Sequence, residues 1–242
     1  MIDKNSFKLK ILISFFNEKK TIIKILEEVN NSLKNNELLN YEIIIIDDCS
    51  TDGTIELLKN LENNDNVSIF YHDKNQGKGS AIQTGLKNVK GDIILIQDAD
   101  LEYDPNDYKK LIDPIVNNRS NVVYGSRVLG NNRYLSKKFS SIYRIFFNHI
   151  LTTFSNILNS QNLTDAHTCY KVIKRDIFDK IYLEEFTFSF CPEITTKLSN
   201  INEKILEVPI NYNGRSYKDG KKIKIIDGLI AIKTLLKFKF FK

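Results

Sequence analysis

The chain has 242 residues, of which 42% are hydrophobic and 27% charged, a composition typical of a soluble globular protein that can bury a core without disulfides. Its 10 glycines and 4 prolines argue against long disordered tracts, and its three cysteines and three histidines lack the spacing of a zinc site. The sequence shows neither a secretory leader nor an apolar run of about 18 residues, so we expect a cytoplasmic protein without a transmembrane helix.

The net charge of +5 is unevenly distributed along the chain. Residues 214–242 contain nine Lys or Arg and two Asp, which leaves the rest of the chain slightly acidic. A basic end of this kind can bind nucleic acid or anionic lipid, or it can simply remain solvated.

Strand and helix patterns alternate through the first hundred residues. Leu9–Phe15 is a buried apolar run, and the apolar positions from Ile22 to Leu33 recur at helical spacing. This alternation predicts an α/β fold with a mostly parallel sheet flanked by helices. The further predicted elements are a strand at 41–46, a helix at 55–61, a strand at 67–71, a helix at 80–88 and a strand at 92–97.

The sequence pattern in the second half of the chain predicts a different organisation. Residues 133–160 carry apolar positions at helical spacing and predict one or two amphipathic helices. Two short strands, at 172–173 and 205–208, flank a helix near 192–199, and residues 225–238 predict a basic final helix. We therefore expect a catalytic domain over residues 1–215 and a basic amphipathic segment over residues 216–242, which packs on the domain or on a membrane surface.

Carboxylates follow two of the predicted strands. Asp47 and Asp48 end the second strand, and Gln97, Asp98 and Asp100 end the fourth. Open α/β sheets bind ligands at the carboxyl ends of their strands, so these side chains should converge on one edge.

Asp98 and Asp100 are candidate ligands of Mg²⁺ or Mn²⁺, because hard cations prefer carboxylate oxygens. Such a cation would bridge the two phosphates of a nucleotide-sugar and stabilise the departing diphosphate. The alternative is an acidic loop that only meets water.

The acidic pair Asp47 and Asp48 could accept hydrogen bonds from a base or a ribose. Alternatively, Ser50 or Asp52 caps the following helix and nothing binds there. The loop at residues 75–79 could hold phosphate, although it lacks a complete P-loop motif.

Five segments together resemble the family 2 glycosyltransferases, especially the branch of dolichyl-phosphate and polyprenyl-phosphate sugar synthases. They occur in the order of that family and span nearly the whole chain. The segments are residues 13–18 (ISFFNE), 42–54 (EIIIIDDCSTDGT), 75–105 (NQGKGSAIQTGLKNVKGDIILIQDADLEYDP), 124–127 (YGSR) and 213–222 (NGRSYKDGKK). Two departures are Ser14-Phe15-Phe16, where the family has Pro-Ala-Tyr or similar, and Cys49, where Gly is commoner.

The resemblance implies a Rossmann-like GT-A fold, a nucleoside-diphosphate sugar linked to UDP or GDP, and transfer with inversion. Asp98 and Asp100 would hold the metal, Asp100 and Arg127 would take part in catalysis, and an Arg fork suits phosphate oxygens. The remaining candidate donor ligands are Phe15, Asn17, Glu18, Asp47, Asp48, Lys78, Gln97, Arg215, Lys221 and Lys222.

Asp165 resembles the acidic residue that faces the acceptor in this family. It would either act as general base towards an acceptor hydroxyl or only orient groups around a lipid phosphate, which needs no deprotonation. A helix or turn cap is the structural alternative, and Glu193 is a second candidate on the acceptor side.

The branch implies a membrane-associated acceptor, most plausibly polyprenyl phosphate; a glycan or other hydroxyl acceptor is the alternative. The aromatic and basic residues of 133–160 and 225–242 favour peripheral contact with the inner face of the membrane, unless their apolar faces only cover the sheet. A homo-oligomer or a separate membrane subunit would also be compatible. We expect no nucleic acid partner, since no reader motif is present; a nucleotidyltransferase would differ by releasing pyrophosphate.

Overall fold

A computed structural model describes residues 7–38, 40–59, 64–88, 90–129, 142–215 and 225–241 of the chain, except for the side chains of residues 142–144 and 225. The fold is built around one seven-stranded sheet with the strand order β3-β2-β1-β4-β6-β5-β7. Only β6 runs antiparallel to its two neighbours, and the other pairs are parallel. The strands are β1 Leu9–Phe15, β2 Tyr41–Asp47, β3 Val67–Tyr71, β4 Ile93–Asp98, β5 Val122–Ser126, β6 Lys171–Lys174 and β7 Leu206–Pro209. The predicted α/β class with a mostly parallel sheet is confirmed.

The described helices cover the sheet and one end of it. In the first helix, Ile22, Ile25, Leu26, Val29 and Leu33 are buried, which is the spacing of one helical face. The helices are α1 Ile22–Asn35, α2 Thr54–Leu58, α3 Lys78–Lys87, α4 Tyr108–Val116, α5 Ile142–Asn159, α6 Arg175–Phe178, α7 Phe190–Asn200 and α8 Ile225–Phe240, with a 3-10 turn at Pro105–Asp107 before α4.

The core lies on both faces of the central strands. Every residue of β1 is buried, as are the apolar residues of β4, since helices cover the two faces of a parallel sheet. In the register of the sheet, Phe15 pairs with Asp47 and Ser14 pairs with Asp98. The carboxyl ends of β1, β2 and β4 therefore meet at one edge, as expected.

Several elements differ from the predicted ones. The third helix begins at Lys78 rather than at residue 80, so part of the expected phosphate loop is helical. β5 and α4 were not predicted, and α4 contains Pro114, which is unusual inside a helix. Residues 130–141, which include the start of the predicted 133–160 helices, lie outside the described residues, as do residues 216–224.

The final helix packs on two other helices of the fold. α8 contacts α7 and α5, and its residues Ala231, Leu235 and Phe238 are buried. Among the residues that the structure describes, no helix combines the length and the apolar character needed to cross a bilayer.

Candidate active site

A cleft of about 240 Å³ opens at the edge where β1, β2 and β4 end. Residues from both halves of the chain line it, so that it forms only when the whole domain has folded. Its walls carry the polar or aromatic side chains of Ser14, Phe15, Phe16, Glu18, Asp48, Asn75, Lys78, Asp98, Asp100, Glu102, Tyr103, Arg127, His167, Cys169, Phe188, Tyr212 and Arg215.

Asp98 and Asp100 both line this cleft, as predicted. Asp98 is the last residue of β4 and forms an ion pair with Lys78. Asp100 lies 3.1 Å from a guanidinium nitrogen of Arg215. Burial raises the pKa of Asp100 to about 7, and the charges of Asp98 and Glu102 add to this rise while Arg215 opposes it. Three carboxylates thus crowd one wall of the cleft.

This wall fits a divalent cation that also binds substrate. Among the described residues, no group of three or more His, Cys, Asp or Glu side chains forms a complete metal site. Mg²⁺, however, is commonly held by one or two carboxylates together with waters and substrate phosphates. Burial, and then the charges of Asp98 and Glu102, raise the pKa of Asp100, and a bound cation would favour its ionised form. Asp98 and Asp100 are therefore suited to a metal that a diphosphate completes.

Arg215 lies against the same carboxylates. Its two terminal nitrogens each donate to Glu18 at 3.1 Å, and its backbone N–H donates to Glu102 at 2.6 Å. Its Nε is buried and has no hydrogen-bond partner among the described residues. Arg215 therefore holds a donor group in reserve, and an Arg fork matches phosphate oxygens.

Arg127 and Asp165 form a further charged pair at the site. Asp165 accepts from Nε of Arg127 at 2.6 Å, from its NH2 group at 2.7 Å and from its backbone N–H at 3.1 Å, and Asn148 donates to it at 3.1 Å. These contacts hold the pKa of Asp165 well below its usual range despite complete burial. Arg127 lines the cleft, whereas Asp165 lies behind it. Of the two roles expected of Asp165, this geometry favours orientation over general base catalysis.

Asp48 is also bound within the protein, although it lines the cleft. Its carboxylate accepts from the backbone N–H groups of Gln76 at 2.8 Å and Gly77 at 2.7 Å, and it lies 2.7 Å from Nδ1 of His72. The other ring nitrogen of His72 lies 2.9 Å from the hydroxyl of Thr84. Asp48 therefore fixes the loop at residues 75–77. No sequence motif indicates that His72 takes part in this network.

Backbone N–H groups in the loop at residues 75–79, the predicted phosphate site, already bind within the protein. The N–H groups of Gln76 and Gly77 point to Asp48, and that of Ser80 donates to the carbonyl oxygen of Phe186 at 3.1 Å. A Cβ atom at Gly79 would overlap the carbonyl oxygen of Glu185. The glycines of this loop thus allow a second chain segment to approach closely, and Lys78 alone points its charge to Asp98 in the cleft.

Four other predicted ligands do not line the cleft, because their polar atoms bind within the protein. Asn17 accepts from the Thr51 N–H at 2.7 Å, and Asp47 accepts from the Ser50 N–H at 3.0 Å. Gln97 accepts from the hydroxyls of Tyr108 and Tyr170, at 2.9 and 2.6 Å; Glu193 accepts from the N–H groups of Glu184 and Glu185, at 2.7 and 3.0 Å. These four residues shape the site from outside. Lys221 and Lys222 lie outside the described residues.

Sequence reasoning missed several residues of the cleft. Glu102 follows the acidic motif by two residues, so its position was a usable signal. The hydroxyl of Tyr212 donates to Glu102 at 2.6 Å. The guanidinium carbon of Arg127 lies over the Tyr212 ring, 5.1 Å from the ring centroid. His167 also lines the cleft. These aromatic residues carry no motif that marks them as site residues.

The profile of the family described as "Glycosyl transferase family 2" matches residues 10–182. The chain belongs to this family. It is therefore a glycosyltransferase, and this membership disfavours the nucleotidyltransferase and nucleic-acid alternatives.

Family 2 relatives resemble the chain over most of its length. A dolichyl-phosphate beta-glucosyltransferase of Trichomonas vaginalis is 30% identical, with 100% of this chain and 76% of the relative covered. A UDP-N-acetylglucosamine–dolichyl-phosphate N-acetylglucosaminyltransferase of Methanococcus voltae is 31% identical over 96% of both chains. A dolichol-phosphate mannosyltransferase of Pyrococcus furiosus is 26% identical, covering 88% of this chain and 59% of the relative.

The fold matches that of solved GT-A enzymes. Glucosyl-3-phosphoglycerate synthase of Mycobacterium tuberculosis, in complex with Mn²⁺, UDP and its product, superposes with a TM-score of 0.70 at 15% identity, covering 98% of this chain and 81% of that one. Its complex with Mg²⁺ and UDP also gives a TM-score of 0.70. At this identity the likeness concerns the fold, and the predicted GT-A architecture is confirmed.

Proposed function

We propose that this glycosyltransferase moves a sugar, with inversion, from a UDP- or GDP-linked donor to polyprenyl phosphate at the membrane surface. The observation that carries the proposal is the pairing, in one cleft, of a carboxylate wall with two guanidinium groups. Asp98, Asp100 and Arg215 form the donor half, and Arg127 with its buried partner forms the acceptor half. The names of the relatives, which are sugar transferases to dolichyl phosphate, support the same acceptor.

In the donor half, Asp98 and Asp100 would hold a divalent cation, Mg²⁺ or Mn²⁺. When bound, this cation stabilises the negative charge of the leaving nucleoside diphosphate. Arg215 exchanges its contacts with Glu18 for phosphate oxygens. Its Nε, which has no hydrogen-bond partner among the described residues and lies 3.9 Å from Glu102, provides a further donor. Lys78 lies beside Asp98 and adds positive charge where the diphosphate leaves.

In the acceptor half, Arg127 binds the phosphate of the lipid. Asp165 holds the guanidinium in a fixed orientation, which favours bidentate binding of an anion. An oxygen of this phosphate attacks the anomeric carbon, and the bond from that carbon to the diphosphate oxygen breaks on the opposite face. The attacking oxygen is already anionic, so no general base is needed and Asp165 can remain ion-paired.

The acceptor brings the enzyme to a membrane, and α5 and α8 provide a face for this contact. Exposed apolar residues on α8 include Leu229 and Phe240, 62% and 64% exposed, and Phe241 follows the helix. Lys233 and Lys239 lie on the same helix and suit anionic headgroups. On α5, Phe146, Phe147, Ile150 and Ile157 are also exposed. We propose peripheral binding through this face, on the cytoplasmic side where nucleotide-sugars are made available.

The direct test is transfer of labelled sugar from UDP-glucose, UDP-N-acetylglucosamine or GDP-mannose to polyprenyl phosphate in the presence of Mn²⁺. We expect a lipid-linked sugar and an equal amount of nucleoside diphosphate from one of these donors. Polyprenol, which has a hydroxyl in place of the phosphate, is the matched control and should not react. Transfer to polyprenol but not to its phosphate would overturn the acceptor assignment.

A further inference from the structure

His167 has an unsatisfied nitrogen in the cleft. Of the five buried side-chain polar atoms without a partner among the described residues, three belong to residues that line the cleft: Ser14 Oγ, Arg215 Nε and His167 Nε2. Buried polar atoms are nearly always hydrogen-bonded in folded proteins, and an unmet one is costly. Their concentration here indicates that a ligand supplies the missing partners.

The protonation of His167 fixes what kind of partner it needs. A ring N–H donates to the backbone carbonyl of Leu151 on α5, and because Nε2 has no partner, the donating atom is Nδ1. Burial, together with the charges of Lys171 and Arg127, lowers the pKa of His167 to about 4, and the charge of Asp165 opposes this shift. The ring is therefore neutral at pH 7, and Nε2 presents a lone pair that can only accept a hydrogen bond.

Among the reacting groups, this lone pair distinguishes the sugar from the phosphates. A diphosphate and a dianionic lipid phosphate bring oxygen acceptors, which would face the lone pair of Nε2 without a proton between them. The cations Arg127, Lys78 and Arg215 already line the cleft and serve those anions. A hexose brings several hydroxyl donors. The ribose also brings hydroxyls, but His167 follows Asp165 by two residues and interacts with the charges of Arg127 and Asp165, which places it in the acceptor half of the cleft. The neutral ring thus suits a hydroxyl of the transferred sugar.

We propose that His167 is a specificity-determining residue that accepts a hydrogen bond from a hydroxyl of the transferred sugar, an inference that rests on the proposed nucleotide-sugar donor. The contact to Leu151 fixes the ring, so Nε2 selects a hydroxyl at one position of the sugar. A site that hydrogen-bonds a substrate hydroxyl discriminates strongly against the analogue that lacks it. His167 touches the sugar and not the nucleotide.

The test compares nucleotide-sugar binding with binding of the nucleotide alone. Calorimetric titrations with Mn²⁺ would use UDP, UDP-glucose, UDP-N-acetylglucosamine, GDP and GDP-mannose on the full chain and on His167→Phe. We expect affinity for the preferred nucleotide-sugar to fall about ten-fold in the variant, with affinity for the matching diphosphate unchanged. His149→Phe makes the same chemical change at an exposed position of α5 and should alter neither affinity.

Monodeoxy donors extend the test to the wild-type protein, in case His167→Phe does not fold. One deoxy position should weaken wild-type binding about ten-fold and cause no further loss in His167→Phe, since the two changes remove one interaction. Equal losses for sugar-nucleotide and diphosphate, no loss from any deoxy donor, or lost turnover with unchanged donor binding would overturn the inference. If the wild type bound none of the five compounds, the proposed donor itself would fall.

Discussion

Asp165 holds Arg127 through both a side-chain fork and a backbone N–H, at 2.6, 2.7 and 3.1 Å. A carboxylate with these partners has little tendency to take a proton at neutral pH, because protonation would break the ion pair. The pair therefore connects the chemistry of the acceptor to the stability of the fold.

Asp165→Asn should reduce both turnover and stability. The change leaves the largely buried guanidinium of Arg127 without its counter-charge, which typically costs about 3–5 kcal/mol of unfolding free energy. We expect a higher KM for lipid phosphate and a pH–rate profile of unchanged shape. Denaturant unfolding and steady-state kinetics at several pH values provide the measurements. Loss of the acidic limb, the fall of the rate at low pH, would instead identify Asp165 as a general base.

Donor binding should depend on pH through Asp100. Its raised pKa of about 7 means that a proton competes with the metal below this pH and is absent above it. In Mn²⁺, the affinity for the nucleoside diphosphate should therefore fall about ten-fold between pH 8 and pH 6. The Asp100→Asn variant should bind the nucleoside diphosphate weakly at both pH values. It should also show no turnover at ordinary metal concentrations. A wild-type affinity that is the same at pH 6 and pH 8 would contradict the assignment.

Gly79→Ala should damage the donor site through packing. The new Cβ would overlap the carbonyl oxygen of Glu185, so the segment at 185–187 must move away from α3, at a cost of about 1–3 kcal/mol. Gly228→Ala is the matched control, since its nearest neighbour would be Leu151 Cδ1 at 3.8 Å. This control should be neutral or stabilise α8 by up to about 1 kcal/mol. Thermal unfolding of the two variants, with and without donor, tests both expectations; equal effects would refute the packing argument.

Membrane binding should depend on the exposed face of α8. We expect the double variant Leu229→Ser, Phe240→Ser to keep its melting temperature and its turnover with a short-chain, water-soluble acceptor. Its binding to vesicles that contain anionic lipid should fall at least ten-fold, because burying two such side chains contributes about 3 kcal/mol or more. Tyr182→Ser, at a position 74% exposed and outside α8, is the control for vesicle sedimentation. Unchanged sedimentation of the double variant would exclude this face.

The sequence predicts the parts of the fold and site that depend on local order. Asp98 and Asp100 could be placed because the apolar run before them marks a strand, and strand ends in such sheets meet at one edge. The partners of side chains could not be placed, because they come from distant segments. For example, the sequence does not show that the carboxylate of Asp48 binds Gln76, Gly77 and His72.

The same limit applies to Asp165 and Glu193, whose carboxylates look alike in the sequence. One holds Arg127 beside the cleft, and the other binds the backbone of residues 184–185 away from it. Which of these arrangements forms depends on how α5 and α7 pack, and helical periodicity alone does not determine that packing. The lack of a hydrogen-bond partner at Nε2 of His167 among the described residues likewise depends on the residues that pack around it.

The bond between Glu18 and Arg215 joins positions 197 residues apart. During synthesis, the amino-terminal strands can emerge from the ribosome and pair long before Arg215 has been added. Until then the carboxylates of this wall lack the guanidinium of Arg215, and the proposed donor half is incomplete. With the proposed donor, a nascent chain therefore cannot carry out transfer before residue 215 has been added and has left the ribosome.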